Sequence, residues 1–134
     1  MTDVFIDADV LIEHLRGRSA ALEFIERLLH APDTELWTSA IQRAEVLFHT
    51  RAGEESRVDR LLRNLRTAPV TEEVVEFAAE LYRRWNPSHG TGRNDAILAA
   101  TVMLARGTLY TQNTRHFPMP GLDVRPGWTP STER

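Results

Sequence analysis

Cysteine and lysine are both missing from this 134-residue sequence. The first absence removes disulfide frameworks, thiolate zinc sites and cysteine nucleophiles together. The second makes all 16 basic side chains arginine, the better bidentate partner for phosphate. Long apolar runs are missing too. The longest nearly apolar stretch, Ile97 to Ala105, is far too short to span a bilayer. Met1 to Asp7 carry neither a basic stretch nor a long apolar one, so no signal peptide is expected. The expectation is a soluble, cytoplasmic protein with no membrane partner. An excess of positive charge is also lacking. The formal net charge of −3 argues against a simple electrostatic nucleic-acid binder, unless some of the acids serve to hold a metal ion.

What remains is an ordinary globular composition, 42% hydrophobic and 26% charged, at a length that fits one domain around one core. Val4-Phe5-Ile6 is a short apolar run and reads as a buried parallel strand. A helix is expected from Val10 to Leu15, stopped at Gly17. Ser19 is a cap for the next helix, whose Leu22, Ile25, Leu28 and Leu29 share a face. Leu36-Trp37-Thr38 reads as a second strand. Ser39 opens a helix running to about Arg51, and Val58, Leu61, Leu62 and Leu65 mark another. Pro69-Val70 is expected as a third strand. Thr71 starts a helix ending near Trp85-Asn86-Pro87, with a loop over 88–92. Asp95 to Arg106 reads as a helix stopped by Gly107, Thr108 to Thr111 as a strand, and Leu122 to Val124 as an edge strand. The domain is expected over 1–125, with 126–134 as a loose tail. Strands alternating with helices imply an α/β fold around a mostly parallel sheet. In such open sheets ligands bind beyond the carboxyl ends of the strands, where Asp7 and the Thr111-Gln112-Asn113 segment fall.

Three acids sit where a core would be expected. Glu45 shares a helical face with Ile41 and Phe48, Asp95 shares one with Leu98, Ala99 and Val102, and Asp7 directly ends an apolar strand. An isolated buried carboxylate costs several kcal/mol, roughly, and sooner takes up a proton than stays charged. A hard divalent cation with oxygen ligands would compensate. The alternative is that Glu45 pairs with an arginine and Asp95 merely sits at a helix N-terminus.

Four blocks carry a family resemblance. Phe5-Ile6-Asp7-Ala8-Asp9-Val10-Leu11-Ile12, with Leu15-Arg16-Gly17 after it, resembles the opening of a PIN domain. Thr38-Ser39-Ala40-Ile41-Gln42-Arg43-Ala44-Glu45-Val46 is similar to the family's glutamate block. Asn94-Asp95-Ala96-Ile97-Leu98-Ala99-Ala100-Thr101 is similar to its third block, and Leu109 to Phe117 to its fourth. The blocks follow in family order from residue 4 to about 124. The resemblance implies a three-layer α/β/α sandwich and, within the family, a VapC-like toxin ribonuclease of a type II toxin–antitoxin system. It implies Asp7, Glu45 and Asp95 as acids for Mg2+ or Mn2+, and RNA cleavage leaving a 5′ phosphate. A VapB-like antitoxin that wraps the apolar helices, and a homodimer, are its implied partners. Asn113 is the fourth catalytic position, standing where many members carry an aspartate, and His116 stands where some carry another acid. Asp9 and Thr111 are expected behind the ligands. Arg93 and Arg115, near the blocks in sequence, are candidate phosphate contacts.

Other features carry less. Arg57, Arg60, Arg63 and Arg66 recur every third residue and read as a solvated face. The five histidines show no zinc spacing, and Trp37, Trp85 and Trp128 read as packing groups. Leu47 and Phe48 are apolar positions that would serve an antitoxin. Two rival readings stand. One is a catalytically silent interaction module on the same fold. The other is a haloacid-dehalogenase-type phosphatase, suggested by Asp7-Ala8-Asp9-Val10 but short of the lysine such enzymes use.

Overall fold

The computed structural model describes residues 1–129. Its strands are β1 (Thr2–Ile6), β2 (Thr34–Ser39), β3 (Arg66–Ala68), β4 (Thr108–Tyr110) and β5 (Asp123–Arg125). Its helices are α1 (Ala8–Leu15), α2 (Ser19–Leu29), α3 (Ala40–Phe48), α4 (Glu55–Arg63), α5 (Glu72–His89) and α6 (Arg93–Ala105). The strands form one sheet in the order β3-β2-β1-β4-β5, and every pairing in it is parallel.

The central strand explains the layers. Val4, Phe5 and Ile6 are all buried, as a strand covered on both faces requires. Successive side chains of a strand point to opposite faces. Val4 and Ile6 accordingly pack with Leu11, Phe24, Val46 and Leu61 from α1 to α4, whereas Phe5 packs with Ala78, Leu81 and Leu98 from α5 and α6. The result is an α/β/α sandwich. Among the described residues no helix is long and apolar enough to cross a membrane.

Strand order also fixes where a crevice opens. From β1 the chain moves outward to β2 and β3, then returns past β1 to β4 and β5 on the other side. Connections therefore diverge between the carboxyl ends of β1 and β4, the place where open parallel sheets bind ligands. Gly107 lets β4 come this close. A Cβ there would lie 2.7 Å from the Asp3 carbonyl oxygen and 2.8 Å from the Phe5 ring, so only glycine fits.

Several boundaries differ from the sequence expectation. The third strand is Arg66–Ala68, paired with Trp37 to Ser39, and not Pro69-Val70. Proline has no N–H for a ladder, so pairing stops before it. Helix α5 runs through Pro87 to His89, and Gly90 ends it at φ 68°. Proline in the last turn removes a single N–H from a long helix whose buried Val74, Ala78 and Leu81 hold it in place. Ser39 does cap α3, but the helix stops at Phe48, short of Arg51. Ser19 is already helical, with Arg18 before it and no side-chain cap. Of the expected loose tail, Gly127 and Trp128 are anchored. Gln112 Oε1 accepts from the Gly127 N–H at 2.6 Å, and Gln112 Nε2 donates to the Trp128 carbonyl at 3.1 Å. The Trp128 ring packs 6.1 Å from that of Phe24. Residues 130–134 of that segment lie outside the described residues.

Candidate functional site

Asp7 is the first residue after β1 and the N-cap of α1. Its Oδ1 accepts from the Ala8 N–H at 2.7 Å, and its Oδ2 from the Thr111 hydroxyl at 2.8 Å. Its own N–H donates to the Tyr110 carbonyl at 3.0 Å, so the ends of β1 and β4 are joined at this residue. Asp7 is only 6% exposed. Burial, and then the charge of Asp9, push its carboxyl up to about 8, with Asp95 adding to the rise against the pull of Thr111 and Ala8.

Asp9 lies two residues further on, half-buried. Its Oδ1 accepts from Val10 N–H at 2.7 Å, and Oδ2 from Gln112 N–H at 3.0 Å. Burial raises its carboxyl above the usual range as well. Thr111 is fully buried and occupied on both sides, donating to Asp7 while accepting from the Asn113 N–H at 3.1 Å.

Glu45, in the middle of α3, is raised mainly by burial and also by the charge of Asp95, while the Asn94 amide holds it down. Asp95 opens α6 and is therefore close enough to act on both Asp7 and Glu45. Its Oδ2 accepts from the Gly92 N–H at 2.9 Å and lies 3.5 Å from His116 Nδ1. Asp95 thus caps its helix and belongs to the acidic group at once. Acids from three distant stretches of chain feel one another's charge: Asp9 and Asp95 act on Asp7, and Asp95 acts on Glu45.

The Glu45 neighbourhood is not the one periodicity suggested. Phe48 is 82% exposed and Ile41 half-buried, so their face is not core. The buried positions of α3 are Gln42 and Val46. Glu45 is half-buried at the rim of the crevice, beside Gln42.

Among the described residues no arginine lies within ion-pair distance of these four acids. Arginines pair elsewhere: Arg16 with Glu54 at 2.9 Å, Arg63 with Asp59 at 2.7 Å, Arg66 with Glu35 at 2.9 Å. The arginine alternative for Glu45 therefore fails. Three of the four regularly spaced arginines are engaged within the chain, Arg57 through Glu54 and the Leu15 carbonyl. The tryptophans do not share a platform. Trp37 stacks on Phe5, Trp85 meets His89, and Trp128 meets Phe24.

Other expected site residues are placed unevenly. Asn113 is exposed, and its backbone rather than its side chain touches Thr111. Arg115 is exposed beside His116 in a depression of 360 Å³ that also includes Ser88 and His89. Arg93 is turned to Tyr82, with its guanidinium 5.4 Å from the ring centroid. Two residues were not singled out from sequence. Gln42 reaches both Glu45 Oε1 at 3.5 Å and the Asn94 carbonyl at 3.4 Å. Gln112 holds Asp9 through its N–H and the 127–128 segment through its side chain. The signal for Gln42 was its spacing, three residues before Glu45 on one helix.

Donor chemistry decides what could sit here. The four side chains offer carboxylate oxygens, the ligands hard cations take. Among the described residues no group of three or more acids or histidines is already gathered as a metal cage. Magnesium does not require one, because it keeps several waters and uses one or two carboxylates. A buried carboxyl pushed up to about 8, with no cationic partner among the described residues, is the feature a divalent ion would relieve.

Comparison with known proteins agrees with this architecture. The PIN domain family matches residues 4–120. The chain belongs to the PIN-domain family. Among its relatives is Ribonuclease VapC10 of Mycobacterium tuberculosis, 37% identical over 117 residues, spanning 87% of this chain and 86% of that protein. Ribonuclease VapC19 of the same organism is 32% identical over 115 residues, spanning 85% and 91%. A toxin–antitoxin complex from Klebsiella pneumoniae contains a chain of the same fold, with TM-score 0.76, 25% identity, and coverage of 93% and 98%. VapBC2 from Rickettsia felis, bound to a promoter DNA fragment, shares the fold at TM-score 0.77 and 20% identity, with coverage of 96% and 100%. Membership of this family sets the haloacid-dehalogenase reading aside.

Proposed function

We propose that this chain is the toxin of a toxin–antitoxin pair, an endoribonuclease that hydrolyses RNA phosphodiester bonds with Mg2+ or Mn2+. The observation that carries the reading is the buried Asp7 carboxyl at the β1–β4 crevice, raised to about 8 by burial and by Asp9 and Asp95, with no arginine among the described residues within ion-pair distance. Relatives called VapC ribonucleases support the choice of RNA and of the toxin role.

Asp7, Glu45 and Asp95 would hold the cation, directly or through water. When bound, a divalent cation supplies positive charge to the phosphoryl oxygens and lowers the pKa of an attacking water. The chain does the rest. Thr111 and the Ala8 N–H fix both oxygens of Asp7, so its carboxylate cannot rotate away. Asp9, oriented by the Gln112 N–H, keeps the crevice negative behind Asp7. Asn113 and Arg115, both exposed, would meet the RNA backbone. Arg93, exposed and stacked on Tyr82, would be a further phosphate contact.

Its partner would be a VapB-like antitoxin, in line with the toxin–antitoxin complex of similar fold. Leu47 and Phe48, 50% and 82% exposed one turn from Glu45, offer it an apolar foothold near the site. A homodimer in the cytoplasm completes the reading.

Cleavage of single-stranded RNA by the purified chain tests it, with Mg2+, Mn2+ or EDTA and with Glu45→Gln as control. Cation-dependent cleavage that leaves 5′ phosphate ends, and is lost in the variant, is expected. Full activity of Glu45→Gln would remove that residue from the chemistry. No cleavage under any condition would favour the silent interaction module.

A further inference from the structure

Gln42 is 1% exposed, the largest fully buried polar side chain among the described residues, and the chemistry above gives it no task. An apolar side chain of the same volume would fill the gap between α3 and α6 without the cost of burying an amide.

The orientation of that amide is fixed from two sides. Ser39 Oγ accepts from the Ile41 and Gln42 N–H groups at 3.2 and 3.3 Å, which leaves its proton to go to Gln42 Oε1. On the far side, the Asn94 carbonyl can only accept, and it lies 3.4 Å from Gln42 Nε2. The amide therefore cannot be turned over. Its NH2 faces the Asn94 carbonyl and Glu45 Oε1, the latter 3.5 Å away. One side chain links the cap of α3, the Glu45 carboxylate and the first turn of α6, next to Asp95.

We infer that Gln42 is a positioning residue: anchored by Ser39, it engages one oxygen of Glu45 and sets the spacing of α3 from the amino end of α6, so that Glu45 and Asp95 stay within reach of one cation. This rests on the proposal that those two acids are cation ligands. Partners behind a ligand commonly change metal affinity by about 10- to 100-fold when removed.

Mn2+ affinity of the RNA-free full chain, measured by calorimetry beside thermal melts, provides the test. Gln42→Met keeps the volume and removes the donors. It should melt close to wild type and bind Mn2+ about 10- to 100-fold more weakly. Ser39→Ala should weaken binding in the same direction, and Ser39→Thr, which restores a hydroxyl, should recover it. Wild-type affinity in Gln42→Met, with affinity lost in Glu45→Gln, would overturn the role of Gln42 and leave Glu45 a ligand. Wild-type affinity in both would overturn the ligand reading and this inference with it. Should Gln42→Met not fold, equal affinity of Ser39→Ala and wild type overturns the inference instead.

Discussion

The Thr111 hydroxyl donates to Asp7 Oδ2 over 2.8 Å, joining two residues 104 positions apart at the carboxyl ends of neighbouring strands. Thr111 is fully buried, so this bond has no competition from solvent. Thr111→Val keeps the shape and removes the donor, leaving an Asp7 oxygen and the Asn113 N–H without their partner. RNA cleavage should fall by about 10- to 100-fold. Thr111→Ser should retain most of it. Wild-type cleavage in Thr111→Val with loss in Thr111→Ser would show that the methyl group, and not the hydroxyl, matters.

Asp7 makes stability depend on pH in a stated direction. Its carboxyl rises from an ordinary 3.8 to about 8 in the folded chain, so the folded state binds the proton more tightly than the unfolded one. Its contribution is fully present below pH 3.8 and is lost as pH rises through 8. In EDTA, Asp7→Asn should match wild type near pH 4 and exceed it by a few kcal/mol, roughly, at pH 8. Urea denaturation across this range gives the difference. A gap that does not change with pH would contradict it.

Glu54 behaves in the opposite sense. The Arg51 N–H at 2.7 Å and the Arg16 guanidinium at 2.9 Å hold its carboxyl below the usual range. Its stability is present above the ordinary value of 4.5 and is lost as pH falls through the folded value. Arg16 also donates to the His49 carbonyl at 2.9 Å, so Glu54 ties the ends of α1 and α3 to the start of α4. Glu54→Gln should lower the melting temperature at pH 7 by several degrees, and by less at pH 3. An equal loss at both values would count against the ion pair.

Phe48 is 82% exposed and makes no part of the core. Phe48→Arg should leave the melting temperature and RNA cleavage near wild type. Binding of the cognate antitoxin, followed by calorimetry, should weaken by about tenfold or more. Unchanged binding would place the antitoxin elsewhere.

The sheet was legible because Val4-Phe5-Ile6 is apolar without interruption, and only a strand covered on both faces needs that. Asp7 was legible for the same reason, as a carboxylate at the end of such a run. Glu45 is legible as an acid of interest, but the apolar face that periodicity gives it is not buried. Helical periodicity put it on a face with Phe48, yet α3 buries its Gln42–Val46 side, and Glu45 lies near Asp95 only because α3 and α6 meet at the crevice. Periodicity reports one helix at a time and cannot see which helix covers it. Gln42 stayed hidden because a glutamine in a helix reads as surface unless its partners, here Ser39 and Asn94, are known. Arg93 was near the site in sequence and turned to Tyr82 in space. Pro87 reads as a helix stop, but packing along α5 outweighs one missing N–H.

The central claim is that a divalent cation relieves the buried charge at Asp7. Its most direct test is the Mn2+-induced change in melting temperature at pH 8, compared between wild type and Asp7→Asn. A ligand that binds only the folded chain stabilises it by about 2.7 kcal/mol at one hundred times its Kd. Wild type should melt several degrees higher with Mn2+, and Asp7→Asn should barely respond. An equal rise in both proteins, or none in wild type, would contradict the account.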